Sequence, residues 1–152
     1  MKLRTATTLD FDEVMKLYRQ LQPNDPVLTN GKDRATFNLI LDDDRLQLYV
    51  VEGDSGKLTS SCYLNIIPNI TRSASPYGVI ENVITEASLR GNGLGKRVVH
   101  HALDAAWSAG CYKVMLQTGS NRESTHAFYR ACGFSGDDKQ AFVAWRPGWT
   151  RP

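Results

Sequence analysis

Apolar residues change their spacing along this chain, and the changes lay out its elements. Leu3 to Thr7 reads as a short first strand. From there Phe11, Val14, Met15, Tyr18 and Leu21 recur three and four apart, which places them on one helical face and predicts a helix to about Gln22. Asp10 with Glu13 offers a capping-box-like start to it. Pro23-Asn24-Asp25-Pro26 breaks the helix, because proline lacks the N–H that a helix interior needs. A second helix is expected from near Asp33 with Phe37, Ile40 and Leu41 as its buried stripe, and the loop between the two helices is a candidate substrate wall.

The period then shortens. Leu46 to Glu52 reads as a strand, Gly53-Asp54-Ser55-Gly56 as a hairpin turn and Leu58 to Ile67 as the returning strand, ended by Pro68. Residues 69 to 76 are a polar connection to the β-branched run Val79 to Thr85. Further on, Leu94, Val98, Ala102 and Ala106 alternate with Val99, Leu103 and Trp107 at four-residue steps, a wide apolar face that must lie on a sheet. Gly110 stops that helix. Cys111 to Thr118 is expected as a strand, Glu123 to Cys132 as a short helix ended by Gly133, and Phe142 to Trp145 as a last strand. The order predicts an α/β chain of the α+β type: a mixed, mostly antiparallel sheet flanked by about four helices.

Length and charge narrow the class. A chain of 152 residues, 41% of them hydrophobic, fits one domain over 1–152 with a real core. Eighteen Lys and Arg against 16 Asp and Glu leave a formal charge of +2, with the basic residues scattered rather than blocked, so nucleic acid is not the expected partner. Cys62, Cys111 and Cys132 lack metal-ligand spacing and read as small core residues in a reducing compartment, with no metal expected. The N-terminus has no signal-peptide core and no apolar run approaches the ~18 residues that would span a membrane, so a soluble, cytoplasmic protein is expected.

The chemistry is concentrated at Arg90-Gly91-Asn92-Gly93-Leu94-Gly95-Lys96, between the β-branched run and the apolar-faced helix. Alternating glycines remove every Cβ that would keep a phosphate from the backbone, and the first N–H groups of the helix have no intrahelical acceptor. Such a loop suits a pyrophosphate. A Walker loop would need glycine in place of Arg90 and Ser or Thr in place of Arg97, and a dinucleotide fingerprint would need G-x-G-x-x-G, so both are excluded. The loop instead reads R-x-x-G-x-G. One strand and one helix later comes Phe128-Tyr129-Arg130-Ala131-Cys132-Gly133-Phe134, or F-Y-x-x-x-G-F. In both signatures, and in the order of elements over nearly the whole chain, the sequence resembles the GCN5-related N-acetyltransferases.

The resemblance implies acetyl-CoA as co-substrate, with the N–H groups of Gly91 to Lys96 holding its pyrophosphate and Arg90 ordering the loop. It implies that the fourth and fifth strands splay and that the pantetheine arm completes the sheet against the main chain of Val83 and Thr85. A backbone N–H at Val83 would then polarise the thioester carbonyl. Relatives often carry an asparagine seven residues before the tyrosine, where it contacts pantetheine; here Arg122 holds that place and Asn121 precedes it. Tyr129 corresponds to the family's tyrosine that helps the thiolate leave. A phenol of pKa ~10 giving its proton fully to a thiolate of pKa ~8.5 is uphill by ~2 kcal/mol, so a hydrogen bond is the expected form of help.

The acceptor amine must lose a proton. For a lysine-like amine of pKa ~10.4 the neutral form costs ~4.6 kcal/mol at pH 7, so a base is worth having. Glu81 interrupts an otherwise apolar strand and would point, with Val83, to one face; His126 and water are the other candidates. No residue reads as an acyl-enzyme nucleophile, which favours direct transfer in a ternary complex. Tyr63, Asn65, Asn69, Tyr77 and Phe142 are candidate pocket walls by their place in the fold. The expected reaction is therefore N-acetylation of a small-molecule primary amine, with a protein amine or a non-catalytic acyl-CoA-binding module as alternatives, and with a homodimer left open.

Overall fold

The computed structural model describes residues 1–149, which fall into two compact units, Met1–Leu116 and the segment from Gln117 onward. The first unit holds a five-stranded sheet in sequence order, β1 (Lys2–Thr5), β2 (Leu46–Glu52), β3 (Leu58–Ile67), β4 (Tyr77–Thr85) and β5 (Val114–Leu116). Neighbours are antiparallel except β4 and β5, which are parallel. This is the mixed sheet that the chain's periodicities predict.

One face of the sheet is covered by α1 (Phe11–Leu21) and α2 (Lys32–Asp42). Phe11, Val14 and Leu17 of α1 and Phe37 of α2 pack there against Leu48, Val50 and Ile84. Full burial of each such side chain stabilises the fold by about 1.5–3 kcal/mol. The other face is covered by α4 (Leu94–Ser108), whose Val98, Val99, Ala102 and Ala106 are fully buried and whose His101 meets Tyr49 edge to face at 4.6 Å. Trp107, at the end of that apolar stripe, is half exposed.

The start of α1 differs from the expected box. Asp10 does not pair with Glu13; it reaches back, accepting from the Thr7 N–H at 2.7 Å and its hydroxyl at 2.9 Å, while Glu13 pairs with Lys16. The cause is Arg4, whose guanidinium donates to both Asp10 oxygens at 2.7 and 2.8 Å. That fork holds the nearly buried Asp10 carboxyl down at about 2 and directs it toward β1. Between β3 and β4 the polar connection contains a single turn, α3 (Thr71–Ala74), in which Arg72, Ser73 and Ala74 all have φ near +58°.

In the second unit α5 (Glu123–Ala131) ends at Gly133, where φ is +95° and the Phe134 N–H returns to the Tyr129 carbonyl at 3.1 Å. Two expected strands come out differently. The run from Cys111 to Thr118 forms a strand only at Val114–Leu116, where β4 lies alongside. Phe142 to Trp145 forms no strand, and Phe142 is 86% exposed. All three cysteines are buried, as their placement predicts.

Candidate active site

The glycine loop has the shape its sequence predicts. Gly91 and Gly93 have φ of +84° and +76°, values that other residues adopt only with strain, and a Cβ at either would meet no protein atom within 4 Å. The space that side chains would fill is therefore open, and the loop's backbone can be approached closely there. Gly93 caps α4, and the first helical bond runs from the Arg97 N–H to its carbonyl at 2.9 Å, so the N–H groups of Leu94, Gly95 and Lys96 point out of the helix start. Together with the positive end of the helix dipole this fits a pyrophosphate. Arg90 does not reach into the cradle. Its Nε donates to the Thr85 carbonyl at 3.1 Å, which ties the loop to the end of β4, and Asn92 Nδ2 donates to the Leu89 carbonyl at 3.1 Å within the turn that follows.

Strand β4 leads into this loop and changes character halfway. Gly78, Val79 and Ile80 pair with Val114, Met115 and Leu116 of β5; from Glu81 to Thr85 no strand pairs on that side among the described residues. The register against β3 also breaks there. Tyr63 faces Glu81 and Ser61 faces Ile84, so the single Cys62 spans two residues, Asn82 and Val83, a β-bulge in which Asn82 takes φ +52°. A bulge adds twist and leaves backbone groups unpaired. The bulge lies in the half of β4 that has no partner on the β5 side among the described residues.

The bulge also alters which side chains share a face. Glu81 is in register with Tyr63 and Leu48, and Ile84 with Ser61 and Val50, so Glu81 and Ile84 lie on the side of α1 and α2. The regular alternation that would pair Glu81 with Val83 is interrupted at Asn82. Glu81 is open to solvent on one side, yet the protein around it desolvates its carboxyl enough to push its pKa up. On the opposite face the Ser60 hydroxyl donates to the Ile84 carbonyl at 2.8 Å and lies 3.0 Å from the Thr85 hydroxyl, tying the open half of β4 to β3.

The second unit carries the other expected groups. Tyr129 is half buried on α5, its ring in edge contact with Phe128 at 5.1 Å and Phe134 at 6.3 Å. His126 Nε2 is 2.7 Å from the Ser120 carbonyl, a bond that requires this nitrogen to carry a proton. Asn121 is exposed just before Arg122, the residue that caps α5. Of the candidate walls, Tyr63 stands in register with Glu81, Asn65 donates to the Val79 carbonyl at 3.3 Å, Asn69 ties its own loop, and Tyr77 stacks near Tyr112 and Lys113. Sequence reasoning missed the bulge at Asn82. The one available signal was an asparagine in a β-branched run, since asparagine tolerates a left-handed backbone better than most residues.

Residues 11–134 match the acetyltransferase (GNAT) family. The chain belongs to that family. Among curated relatives, glucosamine 6-phosphate N-acetyltransferase 1 of Oryza sativa subsp. japonica is 35% identical over 120 residues, spanning 78% of this chain and 70% of the rice enzyme. The glucosamine 6-phosphate N-acetyltransferase of Trypanosoma brucei brucei is 36% identical over 86 residues, and the chain spans 56% of its length. Among solved structures, a protein of Agrobacterium tumefaciens str. C58 assigned as an acetyltransferase superposes with a TM-score of 0.89 at 41% identity, covering 96% of this chain and 100% of that one. Glucosamine-6-phosphate N-acetyltransferase from Arabidopsis thaliana superposes with a TM-score of 0.83 at 28% identity, covering 95% and 98%. This GNAT chain is an N-acetyltransferase that uses acetyl-CoA as its co-substrate. Among its described residues no helix is long and apolar enough to cross a membrane.

Proposed function

We propose that this GNAT chain acetylates the amino group of a phosphorylated amino sugar, with glucosamine 6-phosphate as the first acceptor to test. The identity to the rice enzyme over 78% of the chain supports this choice most directly. We read both units as one catalytic domain, because the family match runs through the boundary at Leu116. A cytoplasmic setting fits the acetyl-CoA requirement.

Acetyl-CoA supplies an activated acetyl group, and the chain's own residues do the rest. The N–H groups of Gly91 to Lys96 take the pyrophosphate, with Arg90 and Asn92 keeping the loop in shape. The main chain of Val83 and Thr85 offers unpaired backbone beside β5, and the Val83 N–H is the donor toward the thioester oxygen. Glu81, its pKa raised by desolvation, takes the amine proton, directly or through water. By the family resemblance, Tyr129 would donate a hydrogen bond to the departing sulfur and Asn121 would contact the pantetheine.

Thiol release measured with acetyl-CoA and a panel of glucosamine 6-phosphate, glucosamine and a lysine peptide tests the acceptor. Glucosamine 6-phosphate should give the highest kcat/KM. Faster turnover of the peptide would replace the amino-sugar reading with a protein acceptor, and equal rates with and without the phosphate would remove phosphate recognition from it.

A further inference from the structure

The turn between β4 and the glycine loop is held from outside the stretch of chain that forms it. Gln20, on the last turn of α1, meets that turn with both halves of its amide: Nε2 donates to the Glu86 carboxylate, and Oε1 accepts the Ala87 N–H at 3.0 Å. The other Glu86 oxygen accepts from the Ser88 N–H at 3.3 Å and from its hydroxyl at 3.2 Å, and the Glu86 N–H donates to the Thr59 carbonyl at 2.9 Å. Glu86 is thereby fastened to α1, to β3 and to its own turn, Ala87–Leu89, which leads directly into Arg90.

Gln20 is exposed, so packing does not account for the arrangement. A glutamine on an outer helix turn can spend its amide on water, and holding a long side chain in two bonds costs rotamer freedom. What the bonds fix is the front anchor of the glycine loop. The rear anchor is α4, whose Leu94, Val98 and Val99 are buried. The front one, Glu86 to Arg90, buries no side chain and stays in place through hydrogen bonds. A loop that meets an anion through its N–H groups needs both anchors, because donors displaced by about 1 Å no longer converge on it.

We propose that Gln20 is a positioning residue for the cofactor, holding Glu86 and Ala87 so that the glycine loop keeps the geometry that receives the pyrophosphate. This rests on the pyrophosphate reading of that loop. Gln20 touches no part of the loop itself; it acts through the turn that precedes it.

The test exchanges the two side chains. Gln20→Glu alone removes the donor and sets two carboxylates against each other. Glu86→Gln alone removes the charged acceptor on which Gln20 and Ser88 converge. Together the two substitutions rebuild the bonds with donor and acceptor reversed: the amide at position 86 donates to the carboxylate at position 20, which still accepts the Ala87 N–H, and the net charge is that of the wild type. CoA affinity measured by calorimetry needs no acceptor. It should fall roughly 5-fold in Gln20→Glu and roughly 2-fold in Glu86→Gln, and return to within about 2-fold of wild type in the double variant. Tighter binding by Glu86→Gln would make simple repulsion of an anionic ligand the cause and overturn the proposal. Unchanged affinity in Gln20→Glu would overturn it too, as would a double variant that loses the sum of the single losses or affinities that merely follow Tm. Gly93→Val measured alongside keeps the failures apart. If it loses CoA while Gln20→Glu does not, only the role of Gln20 falls; if neither loses CoA, the pyrophosphate reading falls and takes that role with it.

Discussion

Tyr77–Ile80 and Glu81–Thr85 are halves of one strand with different surroundings. The first has a strand on each side, and its Gly78 and Ile80 are buried. The second has a partner only in β3, contains a bulge and exposes Glu81 and Asn82. The difference separates what holds the fold together from what, on the proposed function, meets the substrates. Ladder bonds and apolar burial are used up in the paired half, whereas the open half keeps backbone groups and a carboxylate free to act. Substitutions in the paired half should therefore change stability, and those in the open half and its loop should change binding or rate.

The largest test is at the loop into which the open half runs. Gly93→Val puts branched carbons into space that no protein atom occupies, so CoA affinity measured by calorimetry should fall at least roughly 100-fold. The same substitution also forces a β-branched residue to φ +76°, costing about 1–2 kcal/mol of stability. Gly110→Val separates the two effects. Gly110 has φ +79° at the end of α4 with equally open surroundings, so it should lose similar stability and keep CoA affinity. Equal affinity losses in both variants would make strain the cause and remove the pyrophosphate from the loop.

Glu81 is a smaller test of the open half. Glu81→Gln should lower kcat/KM roughly 10-fold near neutral pH, and the deficit should shrink as rising pH deprotonates the amine unaided. Because desolvation raises the carboxyl's pKa, the wild-type rate should begin to fall, as pH drops, above the range usual for a glutamate, and that limb should vanish in the variant. A deficit constant across pH would mean that Glu81 places the amine, and none at any pH would leave the proton to water or His126.

The same division marks how far the sequence could be read. The paired half, β2, β3 and the faces of α1 and α4 follow from burial, which repeats with the period of each element and so shows in the order of apolar residues. The turn was legible because the glycines at Gly91 and Gly93 stand where the backbone takes a positive φ that other residues adopt only with strain. The bulge was not, because it depends on the register of β3 against β4, and no run within β4 encodes which residue its neighbour will face. Asp10 was misassigned for a similar reason: the bond to Arg4 joins two elements, while the Asp10–Glu13 spacing is local. Phe142 to Trp145 has strand composition, but composition gives a preference that only a neighbouring strand can satisfy.

The smallest expected effect is in the paired half. Gly78 is where β4 passes closest to its neighbours: a Cβ there would stand 3.0 Å from Val114 Cγ2 and 3.1 Å from Leu64 Cδ1. Both atoms are side-chain ends in a packed layer, and each must move by a few tenths of an ångström to admit a methyl group. Overpacking of this kind costs about 1–3 kcal/mol, offset by roughly 0.4–1 kcal/mol from the smaller freedom of alanine in the unfolded chain. Gly78→Ala should thus lose about 1 kcal/mol in urea unfolding, with CoA affinity and kcat within roughly 2-fold of wild type. Unchanged or higher stability would show that Val114 gives way freely and that the β4–β5 contact is loose. A kinetic defect without a stability loss would be the more damaging outcome, because it would mean that the paired half transmits its geometry past the bulge and that the two halves do not act separately.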